Sequence, residues 1–197
     1  GAPSFRESGD TVQLVDVSLG ARLDEHGRYS DLSPAESATL RFQLVREAGE
    51  WRIAAAPNLT VVTQPVFSVV FSAFPIYFVD TRYRFLIPDL RWFPSRASTP
   101  TRLVTALLAG PSSWLDNAAT SAIPEGTGLT INAVSVEAGV ARVDFDANAL
   151  AADAASRQVM LTQLRSTLIQ ISGVTQVAIS VNNSPQEIEP SDLSDST

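Results

Sequence analysis

The sequence predicts an α+β fold: an antiparallel or mixed sheet with two amphipathic helices on one face, ordered ββαββαβ, preceded by an antiparallel β meander. Three observations predict it. The N-terminal region alternates apolar and polar residues between hairpin-type turns. Two later segments carry apolar residues at helical spacing, with start and stop signals at their ends. The runs between and after those segments return to an alternating strand pattern.

The meander comes first. Val12, Leu14, Val15, Val17 and Leu19 mark a strand, and Gly20 permits a bend. Ala21 to Leu32 holds a hairpin with His26-Gly27 at its turn, which makes His26 a solvent-exposed turn residue. Leu40, Phe42 and Leu44 share one face of the next strand, and Ala48-Gly49 turns the chain into Trp51-Arg52-Ile53-Ala54. Residues 57–63 form a connector or edge strand. Val66 to Phe74 is too apolar for a solvated linker and is expected as a buried strand or short helix.

The second region is more sharply punctuated. Ile76 to Asp80 and Tyr83 to Pro88 read as strands joined near Thr81-Arg82. Thr99 is the expected N-cap of a helix with Pro100 at its first position, where a missing N–H costs nothing. Leu103, Val104, Leu107 and Leu108 line its apolar face, and Gly110-Pro111 ends it. Leu129 to Val136 and Val140 to Asp146 form a hairpin around Glu137-Ala138-Gly139. Asp153 caps a long helix facing inward through Met160, Leu164, Leu168 and Ile171, and Gly173 ends it. Val177, Ile179 and Val181 alternate as a last strand, and the stretch after it, polar and acidic, reads as a linker or tail. The expected organisation is therefore a β region over 1–65, an apolar connection over 66–74, an α+β domain over 75–182 and a tail over 183–197.

Composition narrows the chemistry. The 197 residues are 45% hydrophobic and carry a net charge of −7. That balance argues against a nucleic-acid partner and against docking onto anionic lipid. The most apolar run, Val66 to Val79, is broken by Ser68, Ser72 and Pro75, so no segment is long enough to span a bilayer. The absence of cysteine excludes disulfides, thiolate metal sites and a Cys nucleophile within the chain. All 14 basic residues are Arg, a bias that GC-rich coding explains. The chain opens Gly1-Ala2-Pro3 without Met and reads as a piece of something longer.

Few residues present themselves for catalysis. His26 is the single histidine, and no G-x-S-x-G or S-x-x-K motif marks a serine nucleophile. Asp144 and Asp146 lie two apart on a strand and share a face, as a calcium site or a proton-sharing pair would need; the alternative is a solvated strand edge. Gly126-Thr127-Gly128 is a turn with too few glycines to imply a nucleotide. No cofactor and no metal is expected. The aromatic candidates for partner binding are Arg91, Trp92 and Phe93, read as a rigid loop between Pro88 and Pro94, together with Trp114. Core packing is the competing role for each Trp.

Two resemblances add to this reading. The phrase FQLVREAGEWRIAAAP, from Phe42 to Pro57, resembles the last hairpin of NTF2-like domains, which makes residues 1–65 a partial NTF2-like region. From Pro75 to about Val181 the chain resembles the sporulation- and germination-type GerMN domain, in the version found in the LpqB family of actinobacterial envelope lipoproteins. The residues that carry this are Arg91-Trp92-Phe93-Pro94, Leu103-Val104, Ala106-Leu107-Leu108, Gly110-Pro111 and Trp114-Leu115. Further on come Ile123-Pro124-Glu125-Gly126-Thr127, Gly139 to Asp144, and the helix positions Met160, Gln163-Leu164 and Thr167-Leu168. The resemblance implies a protein lipid-anchored on the extracytoplasmic face of the cell membrane. It also implies a partner, the extracytoplasmic sensor part of a two-component histidine kinase that governs envelope and division behaviour. It supplies no catalytic residues. The expected function is a non-enzymatic interaction module; the alternatives are a module that binds cell-wall fragments and an envelope hydrolase using Asp144 or Asp146.

Overall fold

The computed structural model describes residues 3–189 and 193–195. The chain divides into two compact units, one of Gly1–Asp24 with Tyr29–Phe67, the other of Glu25–Arg28 with Ser68–Thr197.

The first unit is the β meander. Strands β1 (Ser4–Glu7), β2 (Val12–Leu23), β3 (Tyr29–Glu47) and β4 (Glu50–Ala55) pair antiparallel in sequence order. The register slips between Leu19 and Ala21, where Gly20 sits. Ala48 and Gly49 take positive φ, the conformation a tight hairpin turn requires. One face is polar: Arg6 donates twice to Asp16, which also accepts from Thr39. Leu40, Phe42 and Leu44 point to the other face. Leu40 is buried, whereas Trp51 and Ile53 remain more than half exposed.

Helix α1 (Gln64–Val70) follows and has no buried residue. The expectation that Val66 to Phe74 is buried is corrected here, because Val69 is 86% exposed. A helix of about two turns presents too narrow a stripe to enclose its own side chains. The run also changes character inside, since β5 (Phe71–Asp80) begins directly after the helix.

The second unit contains β5, β6 (Phe85–Pro94), α2 (Thr99–Leu108), β7 (Ala119–Thr120), β8 (Ser135–Glu137), β9 (Val140–Phe145), α3 (Ala154–Leu168), β10 (Gln176–Val181), β11 (Ser184–Gln186) and β12 (Ser194–Asp195). The α+β class stands, and the ββαββαβ order runs through these elements. The sheet, however, is divided into two four-stranded sheets, ordered β12-β6-β5-β7 and β11-β10-β9-β8. Sheet division depends on long-range pairing, which strand periodicity does not encode. Strands β9 and β10 are parallel, with α3 in their crossover.

Local chemistry explains each boundary. The β5–β6 turn is fastened by Asp80, whose carboxylate accepts from the amides of Arg82, Arg84 and Phe85. Thr99 is the first residue of α2 and not its N-cap; Ser98 occupies that place without a side-chain bond. The Thr99 hydroxyl instead contacts the carbonyls of Pro94 and Arg96. Asp153 caps α3 by accepting from the Ser156 amide at 2.7 Å.

Two expected elements differ. The strand over Leu129 to Val136 is split. Leu129 bridges Phe145, and Thr130 bonds Asp144, but Ile131 turns to solvent and the Val134 amide is taken by Thr101 of α2. Only Ser135–Glu137 rejoins β9. The expected tail also contributes structure. Asn182 and Asn183 both take positive φ and fold β11 back onto β10. Strand β12 runs parallel to β6 at Phe85 and Leu86. The remainder of that tail, residues 190–192 and 196–197, lies outside the described residues.

Helix α3 packs against β5 of one sheet and β10 of the other. Leu164 and Leu168 are fully buried, and so is Gln163 beside Leu164. Gln163 accepts from the Ala122 amide at 2.8 Å and donates to the Tyr77 carbonyl at 3.0 Å. Gln163→Leu keeps the volume but orphans both groups. It is expected to lower the unfolding free energy by roughly 1–3 kcal/mol per orphaned group, read as a shifted urea midpoint at unchanged slope.

Candidate functional site

The candidate partner-binding residues Arg91, Trp92 and Phe93 belong to strand β6, paired with Phe74, Ala73 and Ser72 of β5. The expectation of a loop bracketed by prolines is therefore corrected. Pro88 and Pro94 are themselves strand residues. The Trp92 N–H points off the sheet, donating to the Gly27 carbonyl at 2.8 Å. Pro88 and Pro94 share its parity, so their missing N–H groups fall on the same open edge, where a strand tolerates proline.

Side chains alternate along that strand. Arg91 and Phe93 are buried, at 0% and 2% exposure, while Trp92 is half-buried. Arg91 meets Asp89, its neighbour two residues back on the same face. Its Nε and Nη2 donate to Asp89 Oδ2 at 3.1 and 2.6 Å. The same carboxylate accepts from the Ser112 amide at 2.8 Å and, through Oδ1, from the Ser112 hydroxyl at 3.1 Å. Arg91 also donates to the carbonyls of Gly110 at 3.0 Å and His26 at 3.2 Å. Arg28 adds longer bonds to the carbonyls of Ala109, Gly110 and Pro111. Two guanidinium groups thus meet the C-terminal end of α2, where exposed carbonyls and the helix dipole favour positive charge. Arg91 and Phe93 offer no surface to a partner in this arrangement.

Trp114 is different. It lies in a 3-10 turn, Ser113–Leu115, and is 71% exposed. The turn is held on both sides: Ser112 is tied to Asp89, and Leu115 is buried. Trp114 therefore stands on a fixed base outside the core. Sequence reasoning missed Asp89, Ser112 and Arg28. The Asp89-x-Arg91 spacing on a strand was the available signal for the ion pair; nothing local signals that Ser112 or the residue 25–28 turn would join it.

The carboxylates proposed as a catalytic pair have other work. Strand β9 lies inside its sheet, so the solvated edge is corrected. Asp144 Oδ1 accepts from the Ser180 hydroxyl and the Asn183 amide, fastening the β10–β11 turn to β9. Asp146 accepts from the amides of Gly128 and Asn148, both at 3.0 Å, capping a short 3-10 helix. Burial pushes the Asp144 carboxyl up, but the bonds from Ser180 and Asn183 outweigh it and hold the group below the usual carboxylate range. His26 is half-buried instead of solvent-exposed. Among the described residues no three His, Cys, Asp or Glu side chains gather as a metal ion would need.

The family model described as sporulation and spore germination, Germane, matches residues 75–187, and the model for the N-terminal domain of lipoprotein LpqB matches residues 2–68. A lipoprotein LpqB from Cutibacterium acnes is 31% identical over 166 residues, covering 83% of this chain and 27% of that protein. A lipoprotein LpqB from Thermobifida fusca is 29% identical, covering 88% of this chain and 28% of that protein. The chain thus spans about 27–28% of the length of these relatives. Among solved structures, the tandem GerMN domains of the sporulation protein GerM from Bacillus subtilis match at a TM-score of 0.49 and 15% identity, covering 72% of this chain and 51% of that one.

Arg91→Ala leaves Asp89 charged and buried beside an empty volume. The expected cost is about 3–5 kcal/mol, visible as a drop in melting temperature, whether or not any partner is bound. Asp144 gives a pH dependence. Its pKa is lowered on folding, so its stabilisation is present above the unfolded carboxylate pKa of about 4 and is lost as pH falls through the folded value. Asp144→Asn is expected to flatten the acid limb of a melting-temperature profile; an unchanged limb contradicts the assignment.

Proposed function

Because this chain belongs to the sporulation and spore germination family, Germane, we propose that it is a non-enzymatic protein-interaction module of an extracytoplasmic lipoprotein. Its partner in this reading is the extracytoplasmic sensor domain of a two-component histidine kinase linked to envelope and division control. Relatives named lipoprotein LpqB support the placement outside the cytoplasm, with attachment through a lipid. Among the described residues no helix is long and apolar enough to cross a membrane.

The observation that carries the reading is Trp114. A large aromatic left 71% exposed on a turn anchored at both ends is costly to keep in water and well made for contact. Its base is rigid, so little conformational freedom is lost on binding. The mechanism follows from that rigidity. A preformed surface that binds one signalling state of a sensor more tightly than the other shifts the sensor toward that state. Asp144 Oδ1 is held by a hydroxyl and a backbone amide and both oxygens of Asp146 by backbone amides, which counts against a hydrolase built on them.

The test is Trp114→Ala in the whole lipoprotein, titrated against the isolated sensor domain. Melting temperature is expected to hold within about 2 °C, since an exposed side chain contributes little to folding. Affinity is expected to fall by roughly 30-fold, the effect of losing an anchor worth about 2 kcal/mol. Equal affinity in the variant removes Trp114 from the contact. Absence of binding by the parent protein removes the kinase.

A further inference from the structure

We propose that a groove at the C-terminal end of α2 receives an arginine side chain from a protein partner. The proposal rests on reading the chain as an interaction module, but on neither Trp114 nor the kinase.

The groove holds about 400 Å³ and lies wholly in the second unit. Residues 108–110 form one wall, and residues 120–121 and 123–126 form the other. Both walls are held from behind. Leu107, next to the first wall, is fully buried. On the other side Ala122 and Ile123 are buried, and the Ala122 amide donates to Gln163 of α3 at 2.8 Å. Thr120 pairs with Val79 of β5, and the Gly126 carbonyl accepts from Asn148 at 2.8 Å. The groove is therefore preformed, and little ordering is lost when a side chain enters it. The chain that joins the two walls, residues 111–119, carries Trp114, so the groove and the proposed aromatic anchor share one connection.

Its charge calls for a cation. Among the described residues that line it, Glu125 carries the only charge. The stretch from Leu103 to Ala141 contains Asp116, Glu125 and Glu137 and neither Arg nor Lys. A surface charged with one sign draws the opposite sign to it. The helix end acts in the same direction, because the last carbonyls of a helix carry partial negative charge. The fold already uses that preference: Arg91 and Arg28 both donate to the Gly110 carbonyl, at 3.0 and 3.2 Å, and neither lines the groove. The rest of the lining fits arginine. Leu108, Ile123 and Pro124 offer an apolar wall to a methylene stem. Glu125 and the hydroxyls of Thr120 and Ser121 offer several acceptors to its head. Ser121 is held in place, since its oxygen accepts from the Ile123 amide at 3.1 Å. A guanidinium spreads its donors over a planar fork and meets several acceptors at once, whereas an ammonium is a compact point charge.

Titration of the full chain with Nα-acetylarginine amide, followed through backbone amide NMR shifts, tests this. Binding is expected with a Kd on the order of a few millimolar, the range for so small a ligand, and with shifts concentrated at residues 108–110 and 120–126. The neutral isostere Nα-acetylcitrulline amide is expected to bind at least about threefold more weakly, and so is the arginine compound to Glu125→Gln. Glu125 is exposed, so that variant is expected to keep the parent melting temperature. Shifts scattered away from the groove, or equal binding of the citrulline compound, overturn the proposal. Nα-acetyllysine amide binding as well as the arginine compound overturns the choice of arginine. Tighter binding of free arginine than of its capped amide overturns the protein source and makes the groove a small-molecule site. No binding by any of these compounds removes the groove and leaves the Trp114→Ala titration to decide the interaction reading by itself.

Discussion

The second unit is organised around the buried pair of Asp89 and Arg91. A charge pair with side chains 2% and 0% exposed is stable only if its remaining donors and acceptors are met. Meeting them dictates where several other pieces go. Ser112 must present both its amide and its hydroxyl, which fixes the start of the 3-10 turn that carries Trp114. Gly110 must offer its carbonyl, which sets where α2 ends. The His26 carbonyl accepts the remaining guanidinium nitrogen, which draws a turn from far upstream in sequence onto β6. One pair of side chains thus ties together a strand, a helix end, a surface turn and the residue 25–28 turn.

Helix α3 plays the corresponding part between the two sheets. It packs on β5 and β10, and its polar buried residues are as specific as its leucines. Gln163 donates to the Tyr77 carbonyl and Thr167 accepts from the Tyr77 amide. Those bonds set the helix at one height along β5, where apolar packing alone would tolerate sliding. The carboxylates follow the same pattern. Asp80, Asp144, Asp146 and Asp153 each fasten a turn or begin a helix. Trp114 faces outward on the base that Ser112 and Leu115 fix.

Much of this was legible in the residues themselves. Alternation in the N-terminal region, the Ala48-Gly49 turn, the Asp153 cap and the apolar faces of α2 and α3 are local properties, encoded by period and by capping chemistry. The α+β class follows from them; the family was legible separately, as a resemblance carried by motifs spread along the second unit. Tertiary structure decided the rest. Arg91 meets Asp89 on one face of β6, but its remaining donor is met by a turn from more than 60 residues upstream. The division into two sheets, the break after Thr130 and the return of β11 all depend on hydrogen bonds between segments distant in sequence. The exposure of Trp114 and the burial of Phe93 were equally undetermined by the chain alone, since both are large aromatics beside helix or strand ends. Period and capping are properties of neighbours along the chain; burial is a property of neighbours in space, and only the folded contacts assign it.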